Sequence, residues 1–375
     1  MKENDMGNVW SKERAWEWYN ARTWLRGCNY MSADCANRMD QWQEYGFEER
    51  LKTADEELAV AASIGFNTIR IIPEFYVWYK QHDGFMERFE RYIAMAWKHG
   101  ISCMVVFGND CMPPKEEALK RFYLGEQHFD IGYHGGRKVS QHQNHGEKVV
   151  GYHLLDEPEL ALAHYEWVRE IMTKYKDDER IVMWDLYNEP GNSNRSAEYT
   201  MPHLKKFFEI AREIDPIQPL TVGIWKSISV RLPEMRELER FAAENSDIIS
   251  FHCYGNYDHM VRVIRLLKEH GRPIVNTEWL NRCGGNSVQA IYPLFFLEKI
   301  GCYCWGFVAG KYQTFEPWNS VWQQYEENPK MDFDFTKWFH DLYRPSLHPY
   351  DPREVDLIKD YNKLADEDFA YHHSK

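Results

Sequence analysis

The stretch KHGISCMVVF, residues 98–107, contains a helix end, a glycine and a strand in immediate succession. Ahead of it Met86, Phe89, Ile93 and Trp97 recur at helical spacing, so one face of the preceding segment is apolar. Gly100 then stands where helices are closed by a residue with positive φ, a conformation glycine adopts without steric cost. Ile101 to Phe107 follows as a short apolar run, the pattern of a parallel strand covered on both faces. The same order recurs in SIGFNTIRII (63–72), EHGRPIVNTE (269–278) and KIGCYCWGFV (299–308). A repeated helix–glycine–strand unit predicts an α/β fold whose parallel strands are joined through helices.

Collecting every such run gives eight strands, beginning near Leu25, Thr68, Ser102, Val182, Leu220, Ile248, Pro273 and Tyr303. Eight strands alternating with helices predict a closed (β/α)8 TIM barrel, with residues 1–375 as a single catalytic domain. The competing open, doubly wound sheet calls for a glycine-rich turn after its first strand, and GCNYMSADC (27–35) supplies no G-x-G-x-x-G. The stretch from Asn109 to about Asp156, between strands three and four, is too long for a turn and is expected to be an inserted loop covering part of the cleft. The Pro-interrupted tail from Asp332 onward reads as a closing helix.

Composition narrows the function. The 15 Trp, 23 Tyr and 20 Phe exceed what packing calls for, so some are expected to stack on a flat, weakly polar ligand. A formal net charge of −13 with no basic block would repel a phosphate backbone, which argues against nucleic acid as a partner. The N-terminal residues lack the apolar core of a signal peptide and no run reaches about 18 apolar residues, so a soluble cytoplasmic protein without membrane contact is expected. Eight cysteines show no framework spacing; Cys28, Cys103, Cys253, Cys302 and Cys304 fall in strand-like runs and read as buried thiols. The histidines of the insertion, His128, His134, His142, His145 and His153, match no metal-ligand spacing, which leaves a metal-dependent hydrolase as a minor alternative.

In barrels of this kind the working residues lie at the C-terminal ends of strands. Two strands deliver glutamates there: IVMWDLYNEPGN ends on Asn188-Glu189-Pro190, and PIVNTEWLNR carries Glu278. Breaking a glycosidic bond with retention needs two carboxyl groups about 5–5.5 Å apart, one protonated beside the leaving oxygen and one ionised below the anomeric carbon. A second acidic triplet, Asp156-Glu157-Pro158, precedes an amphipathic helix and reads as its N-terminal boundary.

With its N-E-P triplet, Arg70 in FNTIRIIPEF, His252 and Tyr254 in SFHCYGN, and Trp305 in CYCWGFVAG, the chain resembles clan A of the glycoside hydrolases over nearly its whole length. The resemblance is greatest to the family-five cellulase and mannanase barrels. It implies Glu189 as general acid/base and Glu278 as nucleophile, on an oligosaccharide with β-configured linkages and without a cofactor. Arg70 and the Tyr254 hydroxyl are then expected to lower the pKa of Glu278, and desolvation and the charge of Glu278 to raise that of Glu189. Asn188 would hold a sugar 2-hydroxyl, Trp305 would form a stacking floor, and His252, Glu74, Asn109 and Trp318 would complete the substrate contacts. Phe107-Gly108-Asn109-Asp110 departs from the pattern, because many family-five enzymes place a histidine after strand three. Each residue alone has an ordinary structural reading as cap, rim ion pair or core aromatic, and an inactive carbohydrate-binding barrel is the second alternative. The identity of the sugar is not legible in the sequence.

Overall fold

The computed structural model describes residues 9–130, 132–137 and 150–374. Strands β1 (Arg26–Asn29), β2 (Thr68–Ile71), β3 (Ser102–Asn109), β4 (Ile181–Asn188), β5 (Leu220–Thr221), β6 (Ile249–His252), β7 (Ile274–Trp279) and β8 (Gly301–Cys304) form one sheet in the order β5-β4-β3-β2-β1-β8-β7-β6. All of its pairings are parallel. The chain beyond β5 closes the ring: Ile224 bridges Phe251, with Ile224 N donating to Ser250 O at 3.1 Å and His252 N donating to Ile224 O at 2.9 Å. The protein is a (β/α)8 TIM barrel, and its strands begin within two residues of the positions expected from the apolar runs.

Three of the four helix-closing glycines take the expected left-handed backbone, with φ of +84° at Gly65, +72° at Gly100 and +69° at Gly271. The fourth does not. After helix Val288–Leu297 the left-handed residue is Lys299, with φ of +56°, and Gly301 already opens β8. A Cβ at Gly301 would stand 3.2 Å from Val275 Cγ2 and 3.3 Å from Leu25 Cβ, so close packing against β7 and the entry to β1 is what favours glycine there.

The two ends of the barrel differ. At the N-terminal end of the strands, helix Lys12–Asn20 lies across the opening, and its Ala15 and Tyr19 pack with Met104, Val182, Met183, Ile248, Val275 and Tyr303. Trp16 Nε1 donates to Gly271 O at 3.0 Å and the Tyr19 hydroxyl to Lys299 O at 3.0 Å, which ties this plug to the loops beneath β7 and β8. The tail does end in a helix, Pro352–His373, whose Asn362 joins the Tyr292 hydroxyl to Ile64 O at 2.6 Å each. The C-terminal ends of the strands are left to form the cleft. Among the described residues no helix is long and apolar enough to cross a membrane.

Candidate active site

Arg70, on β2, projects into the barrel and is fully buried there. Its Nε and Nη2 donate to Asp185 Oδ2 at 2.9 and 2.8 Å, Nη1 to Asn29 Oδ1 at 2.7 Å and Glu278 Oε1 at 3.0 Å, and Nη2 also to Asn188 Oδ1 at 2.6 Å. Every donor of the guanidinium is used, so its plane fixes residues from β1, β4 and β7 at one height in the barrel. Asp185 was not singled out by the sequence reading. Its signal was present, as the one charged residue inside the apolar run of β4, a place where a carboxylate must find a partner.

Above this layer stand the two glutamates. Glu278 Oε2 accepts the Tyr254 hydroxyl at 2.8 Å, and its other oxygen faces Arg70. Glu189 directly follows β4 in a left-handed backbone, φ +47°, a strained conformation for a side-chain residue. Its Oε1 lies 2.7 Å from His252 Nδ1, and its Oε2 accepts from Asn192 Nδ2 and, at 2.9 Å, from the Cys111 thiol. His252 Nδ1 is also 3.3 Å from Glu278 Oε2. One side-chain atom of each member of this trio lies within 4.8 Å of the others, so the two carboxyls face each other at short range with an imidazole between them.

The two carboxyls do not divide their charge in the expected way. Burial raises the Glu189 carboxyl, but the hydrogen bond and charge of His252, with Cys111 and Asn192, outweigh it and bring it down to about 2. Burial and the charge of Glu189 push Glu278 up, against His252, Arg70 and Tyr254.

The remaining expected contacts line the same cleft. Asn188 gives Oδ1 to Arg70 and donates Nδ2 to Asn109 Oδ1 at 2.8 Å, so Asn109 orients Asn188 as well as bordering the cleft. Trp305 borders the cleft with His134 stacked on it at 4.9 Å, and Trp318 packs edge-on against Tyr254 at 4.8 Å. Glu74 caps helix Phe75–Lys80 through Tyr76 N at 3.3 Å and reaches the cleft beside Arg38 at 4.0 Å. From the insertion Cys111, Met112, Arg121, Phe122, Tyr133 and His134 form one wall.

The described histidines of the insertion go to separate places. His134 lies on Trp305, His153 caps the turn Leu154–Asp156, and His128 packs beside Tyr123. His142 and His145 lie outside the described residues. In the acidic triplet, Glu157 precedes the first turn of helix Pro158–Tyr175 as expected, without a capping hydrogen bond, and Asp156 pairs with Arg195 at 2.7 Å. All eight cysteines are free; seven are buried and Cys111 is partly buried.

A beta-glucuronidase of Paenibacillus borealis is 23% identical over 171 residues, covering 42% of this chain and 26% of its own length. Mannan endo-1,4-beta-mannosidase F of Aspergillus clavatus is 23% identical over 179 residues, covering 44% of this chain and 36% of its own length. The chain thus matches only about a quarter and about a third of these curated relatives. The crystal structure of GH5_18 from Streptomyces cattleya in complex with GlcNAc superposes with a TM-score of 0.58 over 92% of this chain and 80% of that one, at 12% identity, a likeness of fold. Residues 33–307 match the family model described as cellulase (glycosyl hydrolase family 5), and the chain belongs to that family.

Proposed function

We propose that this glycoside hydrolase cleaves β-linked oligosaccharides with retention, by double displacement through a covalent glycosyl-enzyme. The observation that carries this reading is the facing pair of Glu189 and Glu278 at the open end of the barrel, within 4.8 Å at their nearest atoms. That separation suits direct attack by one carboxylate and leaves no room for a water between carboxyl and sugar, as inversion would require.

In the first step Glu278 attacks the anomeric carbon while Glu189 gives its proton to the departing oxygen. In the second, Glu189 takes a proton from water, which displaces Glu278. Arg70 and Tyr254 hold the nucleophile from below and from the side. Both steps require the proton of the pair to stand on Glu189 when substrate is bound, with Glu278 as the anion. His252 Nδ1, in reach of both carboxyls, lies between them. Asn188 is anchored at Oδ1 by Arg70 and at Nδ2 by Asn109, and its second Nδ2 hydrogen, whose contact with the Cys111 sulfur is long at 3.5 Å, can be given to the sugar 2-hydroxyl instead.

The test is stereochemical. A panel of aryl glycosides is assayed, beginning with β-mannosides and β-glucuronides because the relatives bear those names. The first-formed sugar from the responding substrate is observed by proton NMR before mutarotation. The β anomer is expected. An α anomer would mean inversion and would sink the proposal.

A further inference from the structure

Cys111 touches the reaction centre, and neither step above uses it. We infer that Cys111 is a positioning residue for the acid/base: its S–H donates to Glu189 Oε2, and a weak donor there leaves the carboxyl able both to release and to take up a proton. The inference rests on the reading of Glu189 given above.

The direction of the contact is set by the surroundings. The sulfur lies 2.9 Å from Glu189 Oε2 and receives Asn192 Nδ2 at 3.2 Å and Asn188 Nδ2 at 3.5 Å. Two amide donors thus face its lone pairs, and its hydrogen is left to the carboxylate. Burial, and then the charge of Glu189, raise the thiol well above its ordinary range, which keeps it protonated and a donor.

The position is held from behind. Cys111 N donates to Asn109 Oδ1 at 3.0 Å and Met112 N to Asp110 O at 2.8 Å. The fully buried Asp110 carboxylate accepts the hydroxyls of Tyr187 at 2.8 Å and Thr200 at 2.6 Å and Gly191 N at 2.7 Å, and pairs with Arg195 at 2.8 Å. Gly191 belongs to the turn that carries Glu189. One buried carboxylate therefore ties the segment after β3 to the segment after β4, and the thiol-to-glutamate distance is fixed by that strap.

Among the described residues, the titratable groups that interact with Glu189 are His252 from β6, Tyr254 beyond it, Glu278 from β7, His134 from the insertion and Cys111 after β3. Of the described residues, His252, Asn192 and Cys111 bond directly to its carboxylate. A hydroxyl is a stronger donor than a thiol, so serine at position 111 would hold the Glu189 anion more tightly, whereas alanine would hold it less. The two substitutions should act with opposite sign, which mere loss of packing does not do.

The experiment uses full-length protein with 13C at the glutamate side-chain carboxyls. The Glu189 resonance, identified by its loss in Glu189→Gln, is titrated in the wild type, Cys111→Ser and Cys111→Ala, with thermal melting to confirm folding. The serine variant should titrate lower and the alanine variant higher than wild type, each by roughly half a unit to one unit. Equal directions, or no movement in either, overturn the inference. If one variant does not fold, the sign of the other decides. With the responding aryl β-glycoside, the basic limb of kcat, set by the acid/base in the enzyme–substrate complex, should move in the same sense. A resonance that moves while the limb stays would refute Glu189 as acid/base but leave the thiol contact standing.

Discussion

At the scale of single residues, Glu189 and Glu278 are told apart by what restores each when it is lost. Glu278→Ala removes the nucleophile and opens a small space under the anomeric carbon, with Glu189 still able to protonate the leaving group. Azide in that space should give the α-glycosyl azide from an activated β-glycoside, because a single displacement inverts the centre. Glu189→Ala should still form the glycosyl-enzyme from a leaving group that needs no proton and then stall for want of a base. Azide, which needs no deprotonation, should relieve the stall and give the β product after two inversions. Chromatographic identification of the azides checks both, and exchanged products would reverse the two roles. Both glutamates were legible because a barrel turns whatever ends a strand toward one face, so position along the strand was enough. Asp185, Cys111 and Asn192 were less so. Asp185 works two strands away from its partner Arg70, and Cys111 reaches Glu189 from another loop; such pairings depend on register, which a run of apolar residues does not specify.

At the scale of elements, the insertion after β3 lines one side of the cleft. Its helix Lys115–Leu119 contributes Ala118, and the segments around it contribute Arg121, Phe122, Tyr133 and His134, all to the cleft wall. His134 also covers part of Trp305. A cleft walled on this side suits the end of a short oligosaccharide better than the middle of a polymer. Incubation with soluble β-mannan or another responding polysaccharide should therefore release reducing sugar with little loss of viscosity. A rapid fall in viscosity would mean mid-chain cleavage and an open groove. The length of the insertion was plain in the sequence, but which of its side chains reach the cleft was not. The glycine after helix Val288–Leu297 carries the same lesson: Lys299 takes the turn that the pattern assigned to glycine, since packing beneath β8, invisible in a local reading, needs Gly301.

At the scale of the whole molecule, the barrel buries acids whose charge it does not fully compensate, and this sets how stability follows pH. Burial raises Glu57 from 4.5 to about 8, although its carboxyl accepts the Tyr30 hydroxyl at 2.7 Å and Ala33 N at 3.1 Å. Burial likewise raises Asp341 to about 7. Between the ordinary carboxylate range and these values, the folded protein holds protons that the unfolded chain has released. Stability must then fall as pH rises through that interval, and level off above it. Glu189, brought down to about 2, acts with the opposite sign, but its contribution is lost only as pH falls below the ordinary range. Glu57→Gln keeps an amide oxygen for Tyr30 and Ala33 while removing the charge. Melting followed from pH 5 to pH 9 should show a decline in the wild type that is shallower in the variant. At pH 8 the variant should melt higher by at least about 2 °C. Parallel curves would mean that Glu57 titrates as it does in the unfolded chain, and a steeper decline in the variant would mean that the carboxylate is stabilised, not penalised, in the folded barrel.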